Sequence, residues 1–168
     1  FPFDAEVFGQ ATVADVGAGL PVRTDKVSMR LELPESIEEL EKTIGAKKRS
    51  QIRRPFKAGA EVITGGRECL GDFYGVFSEN MRDLGTPVYP RKFFESLWDR
   101  VGDRCRIVVI RVSDDVAAAG FLLSHGSVLE IPWAGASQRH KSLGVNMLLY
   151  REAIACAITT NHTVFDFG

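Results

Sequence analysis

The feature that most limits the fold of this chain is a run of three apolar segments crowded into Arg106 to Trp133. Arg106 to Val112, Val116 to Leu123 and Val128 to Trp133 read as strands, joined only by Ser113-Asp114-Asp115 and by a turn around His125-Gly126-Ser127. Connections this short force antiparallel neighbours, because a parallel return needs a crossover of a dozen or more residues. Such a crossover follows. After Trp133 comes a polar loop with a basic centre, then a helix opening near Asn146, and Thr163 to Phe167 is a last strand. A meander, a helical crossover and a further strand predict an α/β chain of the α+β kind, with a mixed, largely antiparallel sheet flanked by helices.

Upstream, Val27 to Leu33 alternates apolar and polar residues with the period of a half-buried strand, and Pro34 ends it. Ser36-Ile37-Glu38-Glu39 is a capping box that starts a helix. Ile37, Leu40, Ile44 and Ile52 share one face of that helix while Arg49 and Arg53 project together from another. Pro55 should stop or kink it near Arg54. Ala60 to Thr64 is a short strand closed by Gly65-Gly66. Phe73, Val76, Phe77, Met81 and Leu84 recur at helical spacing with Gly85 at the C′ position, and Phe94, Leu97, Trp98 and Val101 mark a second helix ended by Gly102. Thr86-Pro87-Val88-Tyr89-Pro90 between them is a rigid extended loop. Phe1 to Pro21 has no strong period and reads as irregular. The expected organisation is an N-terminal part, 1–59, carrying strand 27–33 and basic helix 37–54, followed by a core over 60–168.

With 168 residues, 45% of them hydrophobic, the chain can bury one core. Its formal charge of -1 conceals a local imbalance, acids in Glu32 to Glu41 and bases in Lys47 to Lys57. Cys69, Cys105 and Cys156 show no metal-ligand spacing and are odd in number, which fits a reducing compartment. No apolar run approaches the roughly 20 residues that span a bilayer, and Phe1-Pro2-Phe3-Asp4 has no basic n-region of a signal peptide. The expected location is the cytoplasm, or the inner face of the membrane. The chain has no initiator Met and stops on the strand-like Phe165-Asp166-Phe167-Gly168, so it reads as a fragment. Its last strand is then expected to leave a sheet edge through which two copies could pair as a homodimer.

The order of elements from Ala60 onward resembles the acyl-CoA N-acyltransferase (GNAT) fold. Particular blocks resemble FemAB-related proteins: Lys47-Lys48-Arg49-Ser50-Gln51-Ile52-Arg53-Arg54, Asn80-Met81-Arg82-Asp83-Leu84-Gly85-Thr86-Pro87-Val88-Tyr89-Pro90, Pro132-Trp133-Ala134, Asn146-Met147-Leu148-Leu149-Tyr150 and Phe165-Asp166-Phe167-Gly168. Within these the chain is similar to the subset associated with exopolysaccharide and PEP-CTERM systems. The resemblance implies an N-acyltransferase that moves an amino acid or acyl group to an amine of a cell-envelope or exopolysaccharide precursor. It also implies a GNAT-like half upstream, of which Phe1 to Leu33 would be the remnant, and further strands downstream. Relatives commonly carry Ser-Pro where this chain has Gly144-Val145, a change that removes a preferred cap and a preferred N1 residue.

Transfer to an amine needs a base for the ammonium proton, donors for the tetrahedral oxyanion and a holder for the carrier's phosphates. Glu130 lies on a strand where related folds place the base; the alternative is an outward residue or a structural ion pair. Asn146 and Tyr150 at the helix start are candidate catalytic donors, against local capping for Asn146 and core packing for Tyr150. Trp133 is a candidate wall of the acceptor groove or a core aromatic. Arg139, His140 and Lys141 either contact a phosphate or face water, and Lys48, Arg49 and Arg53, with Arg54, either bind an anion such as tRNA, lipid diphosphate or acidic sugar or form a solvated face. Asp166 faces the cleft or pairs with one of those arginines. Coenzyme A users carry Gln or Arg, two residues, Gly, one residue, and Gly or Ala in this loop. Gln138 to Gly144 lacks the first Gly of that pattern, so aminoacyl-tRNA is favoured over acyl-CoA as donor, with no tightly bound cofactor and no metal. The remaining alternatives are an acyl-CoA-dependent acetyltransferase and a non-catalytic binding module in polysaccharide export. His125 reads as a turn residue and His162 as a helix-end residue without a sequence partner for a triad.

Overall fold

The computed structural model describes residues 28–168 in full and 6–8 as a backbone strand. The reading of Phe1 to Pro21 as irregular therefore lies outside the described residues, apart from that strand. In chain order the strands are β1 (Glu6–Phe8), β2 (Ser28–Glu32), β3 (Ala60–Gly65), β4 (Cys105–Val112), β5 (Asp115–His125), β6 (Val128–Ala136) and β7 (Val164–Asp166). The helices are α1 (Ile37–Thr43), α2 (Ala46–Lys57), α3 (Leu70–Asp83), α4 (Arg91–Val101) and α5 (Val145–Thr159).

The strands form one sheet in the order β1-β2-β7-β6-β5-β4-β3, antiparallel except where β7 lies parallel to β6. Meander and crossover are as expected. The turns tighten at Ser113, φ 56, and Gly126, φ 57, where a positive φ matches the twist of the flanking strands. β7 is an interior strand, held by β2 on one side and β6 on the other, so the exposed final edge expected from sequence is absent. The outer strands among the described residues are β1 and β3.

Two apolar layers follow from the alternation along the strands. Val108, Ile110, Leu122, Leu129, Ile131 and Phe165 face α5 and α2, while Ile107, Val109, Ala119 and Phe121 face α3 and α4 around Phe73, Phe77 and Phe94. α5 is buried nearly all round because it lies between the sheet and α2. The three cysteines are free and buried, and burial pushes the Cys105 thiol up to about 11.

The single helix expected over 37–54 is two helices. Ser36 caps α1 as the capping box requires, its Oγ accepting from the Glu39 N–H at 3.2 Å. The chain then breaks at Ile44–Gly45, and Arg49 turns back to donate to the Ile44 carbonyl at 2.5 Å and more weakly to that of Glu41 at 3.3 Å. Those carbonyls have no helical partner left, so the guanidinium stabilises the break. Pro55 sits inside α2 and does not end it. The Gln51 carbonyl that Pro55 cannot serve faces Gly144, where an added Cβ would lie 3.3 Å from it. Gly144 itself has φ 80, a conformation that suits glycine.

Candidate active-site groove

β6 is longer than its sequence pattern predicted, running on past Trp133 to Ala136. Its register against β5 shifts between Phe121, opposite Trp133, and Leu123, opposite Glu130. Ile131 and Pro132 together oppose Leu122, a bulge, and the missing N–H of Pro132 is tolerated there. The extra residue reverses the alternation. Leu129 and Ile131 pack toward α5 before the bulge and Ala134 and Ala136 do so after it, which leaves Glu130 and Trp133 on the opposite face.

The ladder between β6 and β7 ends at the pair Glu130 and Asp166. Beyond it β6 is flanked by β5 alone, and a groove of about 320 Å³ opens along this stretch. Ala134, Gly135 and Ala136 form its floor, Asn80 and Leu84 of α3 one wall, and Asn146 and Tyr150 of α5 the other, with Gln138 and Lys141 at the end. The α3 wall is placed by contact with the strand itself: a Cβ on Gly135 would lie 2.8 Å from the Phe77 Cα and 3.1 Å from the Val76 carbonyl. α3 ends in a Schellman motif, in which Gly85, φ 65, donates to Arg82 and Thr86 donates to Met81. No side chain caps the start of α5. Its first turn, with its orphan N–H groups and the positive end of the helix dipole, borders the groove through Val145 and Asn146. Tyr150 is half-buried against Phe167, ring centroids 5.7 Å apart, and burial raises its hydroxyl pKa, so it stays a proton donor at neutral pH.

Asn146, Tyr150 and Lys141 thus meet in one groove, and Glu130 does not line it. Glu130 stands on the other face of the sheet beside Asp166. Burial pushes its carboxyl above the usual carboxylate range, the Asp166 charge adds to that, and Arg30 and His125 oppose it. Asp166 pairs with Arg30 of β2 at 2.9 Å rather than with a helix arginine. It also accepts from the Ser28 hydroxyl at 2.9 Å and the Gly168 N–H at 3.1 Å.

Trp133 belongs to an aromatic cluster under α4, edge-on to Phe93, Phe94 and Phe121. The basic loop is a 3₁₀ turn, Gln138–Leu143, that separates its cations. Lys141 points to the groove, whereas Arg139 and His140 line a second cleft of about 320 Å³ with Asp72, Glu79 and Asp115. His140 Nε2 is 4.0 Å from the Asp115 carboxylate, and its buried Nδ1 has no hydrogen-bond partner among the described residues. Three carboxylates around that cleft disfavour a phosphate there. Arg49 and Arg53 border a different cavity, between α2 and α5, that shares no lining residue with the groove, and Lys48 is half-buried on α2.

Sequence reasoning did not place Asn80 or Leu84 in the site, although both lie in one of the blocks quoted above, and Leu84, read there as part of a helical apolar series, is exposed at the groove. It also found no partner for His162. In the fold the Ser124 hydroxyl lies 2.6 Å from His162 Nε2, and Thr160 Oγ1 lies 2.8 Å from Nδ1. The Thr160 hydroxyl donates to the Cys156 carbonyl and so accepts from Nδ1–H, which leaves Nε2 to accept from Ser124. The chain of bonds ties β5 to the α5–β7 turn. Among the described residues no cluster of side chains suits a metal ion, and no helix is long and apolar enough to cross a membrane.

These features can be set beside known proteins. The sequence is 26% identical over 160 residues to the UDP-N-acetylmuramoylpentapeptide-lysine N(6)-alanyltransferase of Weissella viridescens, covering 93% of this chain and 47% of that protein. The fold is similar to the crystal structure of FemX, with TM-score 0.74 at 13% identity, covering 84% of this chain and 52% of the other. It is also similar to the C-terminal domain of a lysylphosphatidylglycerol synthetase from Agrobacterium fabrum, described as putative in its structure report, with TM-score 0.64 at 13% identity and coverage of 84% and 45%. The chain spans about half the length of the relatives it matches. Residues 46–168 match the family described as acetyltransferase (GNAT) domain, which takes in the meander, the bulged strand, the groove and the parallel crossover, and the chain belongs to that family.

Proposed function

We propose that this chain is the GNAT-like half of a Fem-type aminoacyltransferase, which moves an amino acid from aminoacyl-tRNA to an amine on a cell-envelope or exopolysaccharide precursor. The observation that carries the reading is the groove along the unpaired stretch of β6, where polar side chains from α3, the 3₁₀ turn and α5 converge on bare strand backbone. An acyl carbonyl bound there would have the Asn146 amide and the Tyr150 hydroxyl as donors for its developing oxyanion. The amine must lose a proton to attack, and Glu130, on the face of the sheet away from the groove, is not placed to take it from an amine bound there. The family match and the alanyltransferase relative support acyl transfer.

Acetyl-CoA as donor is the second reading, favoured by the uncapped start of α5 beside the groove. Against it, the turn presents side chains where a pyrophosphate cradle would present glycine backbone, and Gly144 is the one glycine in Gln138 to Gly144. Isothermal titration of the full-length protein separates the two. Binding of alanyl-tRNA at least about tenfold tighter than of acetyl-CoA is expected; tight acetyl-CoA binding with no response to alanyl-tRNA would overturn the choice of donor.

A further inference from the structure

The most concentrated charge on the molecule is not at the groove. α2 carries Lys47, Lys48, Arg49, Arg53, Arg54 and Lys57 and no acidic residue. Ile52 and Pro55 turn inward and Arg49 is spent on the helix break. At about 100° per residue Lys47, Arg53, Arg54 and Lys57 fall within about a third of the helix circumference. All four are exposed, and none enters an ion pair among the described residues. The acids Glu38 and Glu39 sit in the first turn of α1, one helix away, and Glu41 faces Arg151 at 2.6 Å.

Beside this face is an apolar opening. Phe56 is 48% exposed on the flank of α2 next to Arg53. It edges a cavity of about 340 Å³ floored by Ile44 and Ile52, with Arg53 at the rim and Arg151 held there by its ion pairs to Glu41 and Glu152. A bare polyanion would satisfy the outward cations of α2 and leave that floor wet. A lipid layer would satisfy both, with phosphates on the cations and the glycerol and upper acyl carbons against Phe56 and the isoleucines. We propose that the outward face of α2 docks this protein on an anionic lipid bilayer, a role separate from the transfer chemistry.

The test is co-sedimentation of the purified protein with phosphatidylcholine vesicles with and without phosphatidylglycerol. Each basic residue near such a surface contributes roughly fivefold to partitioning. Binding should require phosphatidylglycerol. It should weaken at least about tenfold in Arg53→Glu/Lys57→Glu and by a comparable factor at about 0.5 M salt. Arg53→Gln/Lys57→Gln should lose less, and Phe56→Ala should lose binding that high salt does not remove. Unchanged melting temperatures in these surface variants would exclude unfolding as the cause. Equal sedimentation with pure phosphatidylcholine, no sedimentation with either, or full binding by the charge-reversed variant would overturn the proposal. So would a charge-reversed variant that loses transfer-RNA binding while keeping its vesicle binding.

Discussion

Glu130 and Asp166 stand side by side where β6 and β7 part, and their chemistry differs because their partners differ. Asp166 has a guanidinium, a hydroxyl and a backbone N–H to stabilise its charge, whereas Glu130 has burial and a like charge against it. A carboxyl whose pKa is higher folded than unfolded holds its proton more tightly in the native state. Its effect on stability is then neutral or favourable below the ordinary glutamate pKa and turns unfavourable as pH rises through the folded value. Glu130→Gln is therefore expected to melt higher than the parent at neutral pH, with the difference closing below about pH 4. A lower melting temperature at neutral pH would mean that the ionised carboxylate is held by favourable contacts. Sequence pattern correctly placed Glu130 on a strand, but its neighbours were not readable there, since Asp166 and Arg30 reach it only through sheet order.

Local chemistry made several elements legible. The capping box at Ser36 and the Schellman glycine at Gly85 each act within a few residues, so pattern alone located them. Pattern misread the break at Gly45, which Arg49 stabilises from five residues beyond Ile44, and the helix that continues through Pro55, and it missed the bulge at Pro132, which depends on pairing with another strand. The bulge matters most, because it carries Trp133 away from the groove and lets Gly135 lie flat beneath α3. Gly135→Ala should force α3 off the strand, at a cost of about 1–3 kcal/mol, measured by denaturant midpoint. Because Asn80 and Leu84 ride on α3, donor binding should weaken in the same variant. An unperturbed midpoint would contradict the close approach on which the groove wall depends.

At the scale of the molecule, meander and crossover were legible because turn length and strand direction are coupled, whereas the seating of β2 against β7 was not. That pairing joins residues 136 apart along the chain through the Arg30–Asp166 bond, a separation no local pattern encodes. It makes β7 an interior strand. The central claim is that the groove along β6, between α3 and α5, performs acyl transfer to an amine. Its most direct test is the transfer rate of the full-length protein, with the acylated amine quantified by mass spectrometry, compared with Asn146→Ala, whose exposed position should leave folding intact. Loss of one oxyanion donor predicts a fall of about 10²-fold in turnover at unchanged melting temperature. An unchanged rate in the folded variant would contradict the account and favour a GNAT-like domain that binds without catalysing.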